Sequence, residues 1–382
     1  MLHIGEEIKM RSKSKIRVVI PLVVILFIIF SSTVYADDWY EEENGYYTVY
    51  NQESNEVLCL IATKVSKGDQ YVSGDNKLYE IVEVRDKDYT AYAKYKEDVK
   101  LPEISSTKQE ALALMAEQGD KTVGIYHTHS DESYVPSDGT SSINGKGGVY
   151  KVGDALTSSL KKDGVDVIHR QDLHLPHDAG AYRRSRPTSK KILQEAPSAI
   201  FDVHRDAIPA KQYDFKVNGK PATKVRIVLG QKNQNIEKNK NLAYKLKAVA
   251  DEMYPGMIKD IYMGKGDYNQ DMAPNSVLLE IGTYENSREA AENTANAFGD
   301  AITVAVFGGQ KQVPAEDGQP GKTVKNTQPA ETDNTGTGRG LLIVLGIAAV
   351  LGIGYLFISN SGRELRSKFG DRFSSFLGNR KK

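Results

Sequence analysis

The chain has 382 residues but a single cysteine, Cys59, and no net charge, since 50 Lys and Arg balance 50 Asp and Glu. One thiol excludes an intramolecular disulfide framework and a cysteine-based zinc ribbon. A neutral balance gives no global pull on nucleic acid, so no nucleic-acid partner is expected. Large apolar side chains are almost missing from residues 309–338, which are rich in Gly, Pro, Gln, Asn and Thr. That stretch reads as a flexible linker with an r.m.s. span of roughly 30 Å. The remaining length suffices for one catalytic domain and a smaller module.

Two apolar segments suggest an address. Lys9, Arg11, Lys13, Lys15 and Arg17 precede the run Val18 to Phe30, and Val34-Tyr35-Ala36 follows it. A run of about 13 apolar residues with a small-x-small ending suits a signal peptide. Lengthened by the residues up to 36, the same segment suits an N-terminal membrane anchor. The second run lies within 339–359, from Leu341 to Ser359, and is uncharged. It is about long enough for a transmembrane helix. The tail at 360–382 carries Arg363, Arg366, Lys368, Arg372, Arg380, Lys381 and Lys382 against Glu364 and Asp371. The positive-inside rule then keeps the tail cytoplasmic and the long middle of the chain outside. The expected localisation is the cell membrane, with the ectodomain on the extracytoplasmic side.

Within that ectodomain, residues 37–105 read as a small β-rich module. Leu78–Val84 and Tyr89–Tyr95 alternate apolar and polar side chains, as half-buried strands do. No chemistry is evident there. From 106 to 308 apolar strands alternate with amphipathic helices. Strands are expected at Thr122–Tyr126, Val165–His169, Ala199–His204, Lys224–Leu229 and Val277–Ile281. Helices are expected over Val152–Lys162, from Pro187 to Glu195, over Asn235–Met253 and over Arg288–Phe307. This order predicts an α/β fold with a mostly parallel central sheet flanked by helices. Ligands of such sheets bind beyond the carboxyl ends of the strands.

Chemistry collects at those ends. His129 and Glu132 form an H-x-x-E pattern just after the Thr122–Tyr126 run, and His204 closes the Ala199 run. Two imidazoles and a carboxylate suit a divalent cation, zinc first among them. His127 competes with His129 as the first ligand, because strand alternation lapses beyond a strand end. Glu280 stands in Ser276-Val-Leu-Leu-Glu-Ile-Gly282, a carboxylate amid a buried-looking strand, so it needs a partner. Its functional role would be general base on water activated by the metal. His169, His174 and His177 read as loop residues. Asp202 and Arg205 either orient a ligand or form plain ion pairs, and Arg183, Arg184 and Arg186 form a basic cluster at a helix start.

Tyr126-His-Thr-His-Ser-Asp-Glu-Ser-Tyr134, Gly148-Val-Tyr-Lys-Val-Gly153, Ile200-Phe-Asp-Val-His-Arg-Asp206 and Leu279-Glu-Ile-Gly282 together resemble the stage II sporulation protein P family. Its catalytic domain is similar to zinc-dependent N-acetylmuramoyl-L-alanine amidases. The resemblance implies His129 (or His127), Glu132 and His204 as zinc ligands and Glu280 as the catalytic residue. The short gap between His129 and Glu132 departs from the longer one in ordinary amidases. The resemblance further implies peptidoglycan as substrate during sporulation (engulfment), with amidase and cross-link endopeptidase activities. Stage II sporulation proteins D and M are the partners it implies. Two other readings stay open: a zinc carboxypeptidase or endopeptidase on wall peptides, and an inactive wall-binding scaffold.

Overall fold

The computed structural model describes residues 45–104, 107–117 and 121–308. The segments expected as signal or anchor (1–36), linker (309–338), transmembrane helix (339–359) and basic tail (360–382) lie outside them. Among the described residues no helix is long and apolar enough to cross a membrane.

The tyrosine- and valine-rich N-terminal part forms β1 (Tyr47–Asn51), β2 (Val57–Ile61), β3 (Gln70–Val72), β4 (Lys77–Arg85) and β5 (Thr90–Asp98). The rest supplies β6 (Thr122–Tyr126), β7 (Asp166–His169), β8 (Ala199–Asp206), β9 (Asp214–Val217), β10 (Lys220–Thr223), β11 (Val225–Gly230), β12 (Ile258–Gly264) and β13 (Ser276–Thr283). Eleven of them hydrogen-bond into one sheet in the order β2-β1-β5-β4-β3-β12-β11-β13-β8-β6-β7, while β9 and β10 form a separate hairpin.

That sheet corrects two expectations. It is mixed rather than mostly parallel. The run β7-β6-β8-β13 is parallel, as is β11 with β12, but β11 meets β13 antiparallel. Short connections make β3, β4 and β5 antiparallel neighbours, since only a long crossover can bring a strand back parallel. The β-rich segment is also not a separate sheet: β3 pairs with β12, Tyr71 opposite Tyr262.

Among the described residues five helices of ten or more residues flank the strands: α1 (Lys108–Glu117), α2 (Val149–Lys162), α3 (Ala181–Leu193), α4 (Ile236–Met253) and α5 (Arg288–Phe307). Alternation along β13 shows how the layers form. Val277, Leu279 and Ile281 join a core with Leu156 of α2, Leu246 of α4 and Phe298 of α5. Leu278 faces the other way, into a cluster with Val49, Ile61, Tyr79 and Ile81 of the N-terminal strands and Tyr182 of α3. The N-terminal strands therefore pack over the face of β11 and β13 that the other helices leave free. Ser287 caps α5 by accepting the Ala290 N–H. α3 begins six residues before the expected start, with Pro187 inside it on an exposed face.

The β3–β12 seam carries a buried acid. Asp69 Oδ2 accepts from Tyr262 Oη and from the Ser66 N–H, each at 2.7 Å. Burial pushes its carboxyl up to about 6, against the pull of those two donors. A carboxyl raised above its ordinary value near 3.9 contributes stability that is complete below that value. The contribution is lost as pH rises through 6. Asp69→Asn keeps an acceptor for Tyr262 and cannot ionise, so it should gain on the native protein by roughly 3 kcal/mol between about pH 4 and pH 8. Urea midpoints at the two pH values test this, and parallel profiles for the two proteins would refute it.

Candidate metal centre

The first two ligand candidates ride on the loop leaving β6. Asp202 of β8 fastens that loop: its Oδ1 accepts the Thr128 N–H at 2.8 Å and its Oδ2 the Thr128 hydroxyl at 2.6 Å. On the far side the Val149 N–H at the start of α2 donates to the Glu132 carbonyl at 3.0 Å. Gly147 permits that approach, because a Cβ there would lie 2.2 Å from the same carbonyl oxygen. The Gly148-Val149-Tyr150 motif thus shapes the Glu132 turn from a distance in sequence.

His129, Glu132 and His204 converge, with ligand atoms from the three all within 4.8 Å of one another. Glu132 Oε1 lies 3.1 Å from His129 Nδ1 and 3.2 Å from His204 Nδ1, and Oε2 accepts the Arg205 N–H at 3.0 Å. All three side chains are buried. Burial opposes the Glu132 charge, but the His204 ring, the His129 hydrogen bond and the Arg205 cation hold its carboxyl well below the usual range. Burial and the neighbouring His177 ring lower His129, keeping it neutral and able to ligate. Burial also works against a charged His204; Asp202 and then Glu132 overcome it and raise that ring well above its ordinary value. Its Nε2 lies 2.9 Å from Asp202 Oδ1. His129 Nε2 is buried with no hydrogen-bond partner among the described residues. Two imidazoles, a carboxylate and an unmatched ring nitrogen fit a zinc ion.

His127 stands apart from this group. Its Nδ1 is 2.8 Å from the Val203 carbonyl and its Nε2 2.8 Å from His169 Nε2. Burial, then His169, drops its pKa to about 3. The geometry thus places His129, not His127, with Glu132 and His204.

Glu280 lies on β13 in register with His204 of β8 and, on its other side, with Arg226 of β11. Residues in register share a face. The row His204, Glu280, Arg226 continues to Asp260 on β12. Gly282 ends this stretch at φ +73°, where the β8 register shifts, and a Cβ would lie 2.8 Å from the Thr223 methyl.

Other polar residues divide between site and scaffold. His177, expected as a loop residue, stacks on His129 at 4.1 Å between centroids, and its Nδ1 is 3.0 Å from Asp131 Oδ1. Tyr182 of α3 stands edge-on to His129 at 5.5 Å and stacks over His204 at 6.5 Å. Nothing in local spacing singles out either. His174 is structural: its Nδ1 lies 2.7 Å from the His127 carbonyl and its Nε2 2.9 Å from Thr188 Oγ1. Arg184 donates to the His174 carbonyl and Arg186 pairs with Asp271, so of the expected basic cluster only Arg183 is exposed. Asp202 orients both the loop and His204, and Arg205 lies over the Tyr284 ring at 5.7 Å.

The sequence pattern of the family Stage II sporulation protein P (SpoIIP) matches residues 39–303. The chain belongs to that family. The match to SpoIIP spans both halves of the sheet, N-terminal strands included. The chain is 31% identical over 213 residues to Stage II sporulation protein P of Bacillus subtilis (strain 168), covering 50% of this chain and 53% of that one. It thus spans about half the length of that curated relative. Similar solved structures include N-acetylmuramoyl-L-alanine amidase AmiC2 of Nostoc punctiforme, at 14% identity over 50% of this chain and 96% of that one (TM-score 0.33). The Ami1 amidase of Mycobacterium smegmatis gives 14%, 49% and 99% (TM-score 0.34). The CwlD amidase of Clostridioides difficile, solved with the GerS lipoprotein, gives 15%, 49% and 96% (TM-score 0.32).

Proposed function

We propose that this SpoIIP protein is a zinc-dependent peptidoglycan hydrolase that cuts the amide between N-acetylmuramic acid and L-alanine. The observation that carries the reading is the buried His129–Glu132–His204 group with Glu280 in register beside His204. His129, Glu132 and His204 would hold the metal. Zinc, when bound, supplies Lewis-acid polarisation of the scissile carbonyl and lowers the pKa of water. Asp202 keeps the His204 ring oriented, a task that outer groups perform for metal-binding imidazoles. His177 stacks on the His129 ring and Tyr182 stands edge-on to it, and both contacts restrict its orientation. Glu280 takes the proton of the attacking water on its carboxylate as the water oxygen bonds to the carbonyl carbon. The same carboxyl then gives the proton to the amine nitrogen as the C–N bond breaks.

Family and sequence support the setting. In sporulation the substrate would be the wall between mother cell and forespore. The apolar segments support a membrane tether with the catalytic part outside, where stage II sporulation proteins D and M would be its partners. Purified peptidoglycan incubated with the full chain should release peptides with a free L-alanine amine. A chelator should stop the release and added zinc restore it. Mass spectrometry of the products decides the bond: cuts confined to cross-links would replace the amidase reading with an endopeptidase. Hydrolysis indifferent to chelation would end the metal reading.

A further inference from the structure

Glu280 does not stand on an open surface. It lines a cavity of about 30 Å³ together with Tyr182, Arg226 and Tyr268 from the C-terminal half. Ile61, Ala62 and Thr63, the end of β2 and the two residues after it, line the same cavity. Such a volume suits one or two water molecules and excludes a sugar or peptide. The lining offers the groups that buried water requires, among them a carboxylate, a guanidinium and tyrosine hydroxyls.

The β2 wall is held rigidly. Arg226 Nη2 donates to the Leu60 carbonyl at 2.8 Å, and Arg226 is the register neighbour of Glu280. Its Nη1 donates at 2.9 Å to Asp206, at the end of the His204 strand. Leu60 and Ala62 pack with Ile208 and Tyr213 beyond that strand. One buried cation therefore ties the N-terminal strands to β8, the strand of His204, while its own strand β11 lies in register with β13 beside Glu280.

We infer that this cavity is a water site behind Glu280, and that the Ile61–Thr63 segment belongs to the reaction centre as its wall. The inference rests on the reading of Glu280 as the proton-transfer group. Water held there hydrogen-bonds the carboxylate on the side away from substrate, fixing its orientation and sharing its proton between the two transfers. Ala62 is a positioning residue: its small side chain keeps the space open.

Ala62→Leu fills the space and Ala62→Ser preserves it. In the full chain, Ala62→Leu should lower kcat on purified peptidoglycan about ten-fold or more, with KM and zinc content unchanged. Ala62→Ser, which leaves the space open, should keep the ordered water in a crystal structure of that variant. A high-resolution crystal structure of the native protein should show ordered water within hydrogen-bond reach of Glu280, and that water should be missing in Ala62→Leu. A dry native cavity overturns the inference whatever the activity, as does a folded Ala62→Leu with native kcat. If Ala62→Leu does not fold, the native density decides. Failure of the Glu280 reading is separate: it would appear as full activity in a Glu280→Gln variant, with the water still in place.

Discussion

Glu280→Gln is expected to lower peptidoglycan hydrolysis by roughly 10²–10⁴-fold, the range that a positioned proton-transfer group contributes. Glutamine keeps the size and hydrogen-bonding reach of the side chain but can neither take nor return a proton. Zinc stoichiometry should stay native, because Glu280 lies outside the His129–Glu132–His204 group even though it stands in register with His204. KM should move little, since the change touches the chemical step and not binding remote from it. Zinc content by atomic absorption and initial rates on purified sacculi are the two measurements. Native rates would remove Glu280 from the chemistry. A loss of zinc together with rate would make it a ligand instead.

Arg226→Leu should have the largest effect on stability. The guanidinium is buried and spans β11, β12 and β8. Nε and Nη2 donate to Asp260 at 2.6 and 3.0 Å, Nη1 to Asp206 at 2.9 Å, and Nη2 also to the Leu60 carbonyl. Burial pushes the Asp260 carboxyl up, but Arg226 and then Lys259 outweigh it and hold it at about 2. That depressed value contributes stability present above about pH 4 and lost as pH falls through 2. Without the arginine, two buried carboxylates lose their main counter-charge. Removing one partner of such a network costs about 3–5 kcal/mol, or a fall in Tm on the order of 10 °C for a fold of this size. Arg226→Lys should rescue little, because an ammonium cannot reach both carboxylates and the carbonyl in one planar fork. A Tm within about 2 °C of native for Arg226→Leu would show that the row tolerates the loss.

Much of the C-terminal half was readable in the chain. Thr122–Tyr126 and Arg288–Phe307 form the expected strand and helix at the expected bounds, and Val277–Ile281 lies inside β13. The two strands are apolar runs buried on both faces and the helix buries one long face, so local pattern and tertiary environment agree. The helix around Pro187 was misplaced because proline usually marks a first turn, whereas here it sits on an exposed face inside α3. Strands β4 and β5 were visible by alternation, yet nothing local could reveal that Tyr71 pairs with Tyr262. Alternation says which side chains share a face, not which distant strand will cover it.

The sequence by itself determined the kinds of element and the ligand chemistry, because backbone periodicity and side-chain donor types are local properties. It favoured His129, through the H-x-x-E pattern with Glu132, and kept His127 as the alternative first ligand. Only the tertiary structure separated them, by directing His127 to Val203 and His169 and bringing His129 to Glu132 and His204. It alone also set Ile61–Thr63 against Glu280 and aligned His204, Glu280, Arg226 and Asp260 across four strands. Register between strands far apart in the chain is decided by which apolar faces can be buried together, and that is a property of the whole fold.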